Sequence, residues 1–260
     1  RCFENDDITH VRGTVDPIAD FEVVETELML ADLESLDKRK AGVEKKAKSG
    51  DKDAKAQVAL IDLALAELNE GRPARKAAVP KDETRAWNML QLLTSKPVLF
   101  VANVDEDSAA TGNAHSERVM ERAKEEGAGC VVFSAQIESE LALLDDADRA
   151  EYLETLGLEE PGLTRLIHSG YDLLNLQTYF TVGPKEARAW TIRRGWTAPK
   201  AAGVIHGDFE KGFIRAETIA YSDFVANGGE AGAKEAGKMR AEGKEYVVQD
   251  GDVLHFRFNV

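Results

Sequence analysis

Two clusters of polar residues stand directly after short apolar runs. Asn103, Val104, Asp105 and Glu106 follow the run 98–102, and Ser134, Ala135 and Gln136 follow the run 130–133. Both runs are continuous and rich in β-branched and aromatic residues, as strands buried on both faces of a parallel sheet are. In an open α/β sheet the ligand sits at the carboxyl ends of the strands, where these clusters would lie. Polar ends on two such strands suggest a nucleotide base pocket, because an amide such as that of Asn103 can both donate to and accept from a purine edge. The plainer alternative, a pair of ordinary strand-to-loop exits, uses the same residues.

Other chemistries find less support. A Gly-x-x-x-x-Gly-Lys string occurs at 232–238, but Met239 follows it and offers no hydroxyl to Mg²⁺. No buried strand precedes it either, so a chance match is expected. The five histidines are scattered, and no Cys/His spacing suits zinc. Cys2 and Cys130 adjoin apolar runs and read as buried thiols in a reducing compartment rather than a bridge. Asp145 and Asp146 read as a helix-cap pair, not as catalytic acids. No apolar run approaches the ~20 residues that span a bilayer, so no membrane is expected.

The net charge of −14 argues against a nucleic-acid binder that uses its whole surface. The charge is uneven, however. Residues 37–55 hold eight Lys/Arg against four acids, and residues 184–215 hold seven against three. Two basic islands on an acidic body look like localised RNA contacts, or else like solvated faces without a partner.

These residues need elements to position them. Asp16-Pro17 predicts a helix start, and 21–48 favours helix with Val24, Leu28, Leu33 and Leu36 near one face. Ser49-Gly50-Asp51 breaks it, and 52–69 comes next as a second helix, giving an antiparallel hairpin with a basic tip. A shorter helix is expected over 82–94, then the strand near 98, helices over 115–126, 138–155 and 161–172, and the strand 131–133 between the first two of these. Beyond residue 174 the pattern changes to strands at 178–182, 187–192, 213–220 and 253–258, with a helix over 198–205. That is a compact α+β module compatible with a β-grasp.

Several stretches carry a resemblance. They are Arg-Cys-Phe-Glu-Asn-Asp-Asp-Ile-Thr-His-Val (1–11), Asn-Val-Asp-Glu (103–106), Asn-Leu-Gln-Thr-Tyr-Phe-Thr (175–181) and Lys-Glu-Ala-Arg-Ala-Trp-Thr-Ile (185–192). Ala-Ala-Gly-Val-Ile-His-Gly-Asp-Phe-Glu-Lys-Gly-Phe-Ile-Arg-Ala (201–216) and Asp-Gly-Asp-Val-Leu-His-Phe-Arg-Phe-Asn-Val (250–260) complete the set. Over its whole length the chain resembles the YchF/Obg-like ATPases, a branch of the translation-factor P-loop NTPases. The resemblance implies a G domain with a parallel α/β sheet, an inserted antiparallel helical coiled-coil hairpin and a C-terminal β-grasp TGS domain. On this sequence they would be a G-domain remnant at 1–20, the helical insertion at 21–95, the G domain continued at 96–173 and the TGS domain at 174–260. The family's P-loop and Mg²⁺-binding switch segments precede the strand ending in Arg-Cys-Phe and have no match here. The resemblance therefore implies a segment upstream of Arg1 that holds the phosphates and Mg²⁺, and a chain with little phosphoryl-transfer activity by itself.

The resemblance also implies site roles. Asn103 matches the base-reading Asn. Val104 stands where GTPases carry a Lys over the base, and Glu106 where they carry an Asp that accepts two guanine N–H groups. Ser134 and Ala135 match the second base-contact loop, and Phe3 is a candidate to pack on the base. His10 matches a loop histidine thought to position the attacking water. The implied activity is a cytoplasmic, ribosome-associated, monomeric ATPase that prefers ATP to GTP and binds large-subunit RNA or protein. The alternative is a non-catalytic RNA- or ribosome-interaction module. The contact residues expected for either are Arg193, Arg194 and Lys200 beside Trp196, with Lys45, Lys46, Lys48 and Lys52 at the hairpin tip.

Overall fold

The computed structural model describes residues 1–259; Val260, which ends the C-terminal match, lies outside them. The chain divides into two compact units, Arg1–Ser169 and Gly170–Val260.

In the first unit α1 (Pro17–Lys48) and α2 (Lys52–Asn69) form the helical hairpin. The Asp16 carboxylate caps α1 by accepting from the Ile18 and Ala19 N–H groups at 3.2 and 3.3 Å, and Pro17 occupies the first turn, where no N–H is missed. Gly50 adopts φ +100° in the turn, a conformation L side chains avoid, and Asp51 caps α2 by accepting from Ala54 N–H at 3.0 Å. The expected apolar face of α1 is only half used. Leu36 is buried with Leu60, Ile61, Ala64 and Leu68, whereas Val24 and Leu28 are 54 % and 39 % exposed. With 18 residues against 32, α2 ends before it can cover them.

The expected helix over 82–94 is shorter. It comprises a 3₁₀ turn, Lys81–Glu83, and α3 (Thr84–Met89). The chain turns away at Gln91, with φ +55°, and the buried Asp32 carboxylate captures the residues just beyond it. Asp32 accepts from Leu93 N–H, Thr94 N–H and the Thr94 hydroxyl at 2.8, 2.8 and 2.7 Å. Trp87 and Leu90 join the hairpin core, and Leu93 stays exposed.

Next come β1 (Leu99–Asn103), α4 (Ala114–Glu126) and β2 (Gly129–Phe133). The strands pair in parallel, with Asn103 opposite Phe133. α4 opens with a capping box between Asn113 and Ser116 and ends at Gly127, φ +70°. Phe100, Ala102 and Val104 pack with Val119 and Ala123 of α4 and with Cys2. The expectation of a strand buried on both faces holds for this face alone. Val101 points the other way and is 41 % exposed.

Residues 138–155 form two helices rather than one. α5 (Ala135–Leu141) ends early, and α6 (Asp146–Thr155) restarts with Asp145 as its cap, accepting from Ala147 and Asp148 N–H at 3.0 Å. α7 (Gly162–Leu173) carries the chain across the boundary of the units.

The second unit runs β3 (Leu176–Val182), β4 (Ala187–Arg193), α8 (Ala198–Ile205), α9 (Gly207–Lys211), β5 (Phe213–Ala220), α10 (Tyr221–Ala226), α11 (Glu230–Glu235), β6 (Arg240–Glu242) and β7 (Asp252–Phe258). Its sheet order is β4-β3-β7-β5-β6, antiparallel except where β3 meets β7. Tyr179, fully buried, centres the core and donates its hydroxyl to Ala201 O at 3.0 Å. Sequence reasoning missed α9, α10, α11 and β6. The longest of them has 6 residues, too few to display a period. The Gly-x-x-x-x-Gly-Lys string is α11 and its C-terminal turn. Gly237 has φ +69°, and Lys238 N–H closes on Ala233 O at 2.8 Å, a helix cap rather than a phosphate loop.

Four charges tie α1 to α4. Arg75 Nη2 reaches Glu25 Oε1 at 2.5 Å and Glu126 Oε2 at 2.6 Å, and Arg122 Nε reaches Glu126 Oε1 at 2.8 Å. Burial raises the Glu126 carboxyl pKa, but hydrogen bonds from Arg75 and Arg122 outweigh it and hold the group below the usual range. A carboxyl depressed in the folded state stabilises the fold above its unfolded value and loses that contribution as pH falls through the folded value. Denaturant stability should therefore fall more steeply below about pH 4.3 in the wild type than in Glu126→Gln. Equal slopes in urea titrations at several pH values would overturn this.

Candidate functional site

At the carboxyl ends of β1 and β2 lies a cavity of about 660 Å³. Two hydrogen bonds to the Cys2 main chain build its near wall. Cys2 N–H donates to Asn103 O at 2.7 Å, and Asn113 Nδ2 donates to Cys2 O at 2.7 Å. They hold residues 1–3 beside the end of β1, so Phe3 lines the cavity. Arg1 stiffens the adjoining loop. Its guanidinium donates to the carbonyls of Phe3, Asn5 and Ile8 at 3.0, 3.0 and 2.8 Å and lies 4.7 Å from the Phe3 ring centroid.

Asn103 spans the two strand ends. Its Oδ1 accepts from Ala135 N–H at 2.9 Å, leaving its NH₂ without a partner among the described residues. The amide therefore presents donors to the cavity, suited to an acceptor such as a purine N7. Ala135 lines the cavity with its neighbour Gln136. Ser134 does not; it is buried, and its Oγ has no hydrogen-bond partner. Val104 borders the cavity, but its side chain belongs to the core cluster with Phe100 and Ala102.

The rim is acidic. Glu4, Asp105, Glu106 and Asp107 line the cavity and no Lys or Arg does. Such a lining fits an uncharged heterocycle and disfavours phosphates. Glu106 is exposed. Together with Glu140, its charge acts on Tyr152, whose hydroxyl donates to Glu140 Oε2 at 2.5 Å; that bond first, then burial and the two charges, push the phenol up to about 12.

His10 is not in the lining. Its Nε2 faces Asp20 Oδ2 at 2.9 Å, and its Nδ1 accepts from Arg12 N–H at 3.3 Å. Both ring nitrogens are thus occupied, and in this arrangement His10 pins the loop to α1.

The basic candidates sit apart from the cavity. At the hairpin tip Lys45, Lys46, Lys48 and Lys52 are placed along the ends of α1 and α2, and Lys48 pairs with Glu44 at 3.2 Å. In the second unit Arg193 is exposed at the end of β4, and Arg194 pairs with Asp172 at 2.5 Å. Lys200 Nζ lies 4.4 Å from the Trp196 centroid and covers one face of that indole. Sequence reasoning missed the matching pair, Arg188 over Trp190 at 4.3 Å; their i, i+2 spacing on a strand was the available signal. Asp208 lies 3.4 Å from His206 Nδ1.

Comparison with known proteins gives the same outline. Residues 176–259 match the family model YchF-GTPase_C, described as "Protein of unknown function (DUF933)". The ribosome-binding ATPase YchF of Haemophilus ducreyi is 56 % identical over 260 residues, covering 100 % of this chain and 71 % of that protein. The protein of the same description from Bacillus subtilis is 52 % identical over 262 residues, covering 100 % and 72 %. Among solved structures, the Schizosaccharomyces pombe YchF GTPase aligns with TM-score 0.82 at 35 % identity, over 98 % of this chain and 70 % of that one. A GTP binding protein from Pyrococcus horikoshii aligns at TM-score 0.59 and 20 % identity, a likeness of fold.

Burial disfavours the thiolate, the nucleophilic form, of both thiols near the site. Burial pushes the Cys2 thiol up, and burial with the neighbouring Cys2 pushes Cys130 up. Both should react slowly with a thiol reagent at pH 7.5 in the folded protein and promptly in urea. Fast labelling of the folded chain, measured by thiol titration, would contradict the burial.

Proposed function

This chain belongs to the YchF family, and on that premise we propose that it carries the base-reading part of a ribosome-associated nucleotidase that prefers ATP to GTP and converts ATP to ADP. One observation carries the reading: Asn103, held by Ala135 N–H, turns a free amide donor into a cavity whose lining contains no cation. Asn103 binds the purine, Phe3 packs against it, and Ala135 fixes the amide. Val104 and Ser134 support these groups from behind. Val104 in place of a Lys and Glu106 in place of an Asp depart from the guanine-reading pattern, which supports a preference for adenine. His10 can orient a water only after the loop releases Asp20.

Mg²⁺, implied by the family, would neutralise phosphate charge. Among the described residues no group of three His, Cys, Asp or Glu could hold a metal, so these residues do not fit the ion. Hydrolysis by these 260 residues alone is expected to be negligible, since the phosphate loop of the family has no match in them. In the protein carrying that loop, competition binding should give ATP the tighter constant; GTP tighter by about tenfold, 1.4 kcal/mol, would sink the preference. Asn103→Ala should weaken both nucleotides about five- to tenfold, the worth of one hydrogen bond.

The ribosome reading rests on the exposed cations. In the second unit a hairpin, a helix and later strands place β3 and β7 side by side in parallel, which supports a β-grasp TGS domain. The helical hairpin supports the coiled-coil insertion, its tip carrying Lys45, Lys46, Lys48 and Lys52. The ribosome-binding description of the relatives supports a cytoplasmic protein, and a monomer is the expected state. The rival, a purely interacting module, keeps the same contacts without hydrolysis. Reversing Arg193 and Arg194 to Glu should cut ribosome co-sedimentation at low salt and reduce the salt slope by about 1.5, for two lost phosphate contacts. Unchanged co-sedimentation would leave the hairpin tip as the contact.

A further inference from the structure

The free donor of Asn103 cannot by itself choose between purines, because N7 is an acceptor in adenine and guanine alike. The two bases differ at the next position on that edge, an amine donor in adenine and a carbonyl acceptor in guanine. A site that prefers adenine must therefore offer an acceptor beside the Asn103 amide. Gln136 follows Ala135, the residue whose N–H holds Asn103, and it lines the same cavity. Its Nε2 donates to Glu140 Oε1 at 2.8 Å, one turn along α5. The other oxygen of Glu140 accepts from the Tyr152 hydroxyl. Bonds from Tyr152 and then Gln136 hold the Glu140 carboxyl below the usual range against burial, so the group is a carboxylate at neutral pH. A carboxylate can only accept, which fixes the amide nitrogen of Gln136 as the end that faces it. The planar amide turns its Oε1 away from Glu140, and that oxygen has no hydrogen-bond partner among the described residues. Other polar groups of the lining do not discriminate. The Ser139 hydroxyl both donates and accepts, and the rim carboxylates accept from the amine of either purine.

We infer, given the reading above that this cavity takes the base, that Gln136 selects adenine: its Oε1 accepts from the exocyclic amine while Asn103 donates to N7. Guanine brings a carbonyl to the same place and needs the Gln136 amide reversed. Reversal sets the Gln136 oxygen against the Glu140 carboxylate, so one hydrogen bond is lost and a repulsion takes its place. Glu140, held in turn by Tyr152, is a positioning residue that acts through Gln136.

The test is competition binding in the protein that carries the phosphate loop. The probes are ATP, GTP, 7-deaza-ATP, which lacks the N7 acceptor, and purine riboside triphosphate, which is ATP without its exocyclic amine. The wild type should prefer ATP to purine riboside triphosphate by about fivefold, the worth of one hydrogen bond, and Gln136→Ala should bind the two equally. Gln136 is exposed, so this variant leaves no buried group unmet. The penalty on 7-deaza-ATP should be the same in the wild type and in Gln136→Ala, because Asn103 is untouched. Glu140→Gln, which lets the Gln136 amide turn over, should tighten GTP severalfold and leave ATP near its wild-type value. A merely structural role for Glu140 would instead weaken both nucleotides together. The role of Gln136 is overturned if the wild type shows no preference for ATP over purine riboside triphosphate, if Gln136→Ala keeps that preference, or if Glu140→Gln leaves the ratio of ATP to GTP affinity unchanged. In each of these cases a 7-deaza penalty that vanishes in Asn103→Ala would keep the base-cavity reading. Absence of that penalty in the wild type would remove the reading itself, and the role of Gln136 with it.

Discussion

Asp32 is the constraint on which the first unit depends. A carboxylate that is 3 % exposed must be answered by donors, and three of them come from Leu93 and Thr94. The Thr94 hydroxyl in turn accepts from Ala74 N–H at 3.0 Å. One side chain on α1 thereby fixes both lengths of chain that leave the helical hairpin, the exit of α2 and the approach to β1. Removing one partner of such a cluster typically costs about 1–3 kcal/mol, because the remaining groups stay buried and unmet. The cluster also explains why α3 stops at Met89: the N–H groups of 93 and 94 find a carboxylate rather than helix carbonyls.

The cavity at the ends of β1 and β2 depends on that placement. Once the chain enters β1 in this register, the strand delivers Asn103 opposite Phe133, and the amide meets the first N–H of α5. Cys2 and Asn113 add residues 1–3 as the adjoining wall. The geometry divides labour by charge. An uncharged, donor-bearing amide faces the cavity, carboxylates edge it, and the lysines stand on the hairpin tip. Nothing in this lining would neutralise a phosphate, so the cavity suits an uncharged group.

The surface cations are less free than their number suggests. Arg194 is spent on Asp172, Lys48 on Glu44 and Lys200 on the face of Trp196. Exposed pairs of this kind are worth little and exchange readily for a phosphate, so pairing lowers local charge without closing the surface to a polyanion. Arg193 and Lys45, Lys46 and Lys52 have no ion pair among the described residues.

Much of this was legible from residue order. Local signals placed the helix start at Asp16-Pro17, the break at Gly50, the strands at 213–220 and 253–258 and the helix at 198–205, because caps, turns and periodicity act over a few residues. The motif 103–106 pointed to the cavity for the same reason: a strand end is a local event. What the order of residues left open was settled by contacts between distant positions. The early end of α3 depends on Asp32, some sixty residues away. The exposure of Val24 and Leu28 depends on the length of α2. Which lone pair of Asn103 is taken depends on Ala135, and whether His10 is free depends on Asp20. A sequence announces which groups a residue carries; packing alone decides which of those groups already have partners, and only the ones without partners remain for a ligand.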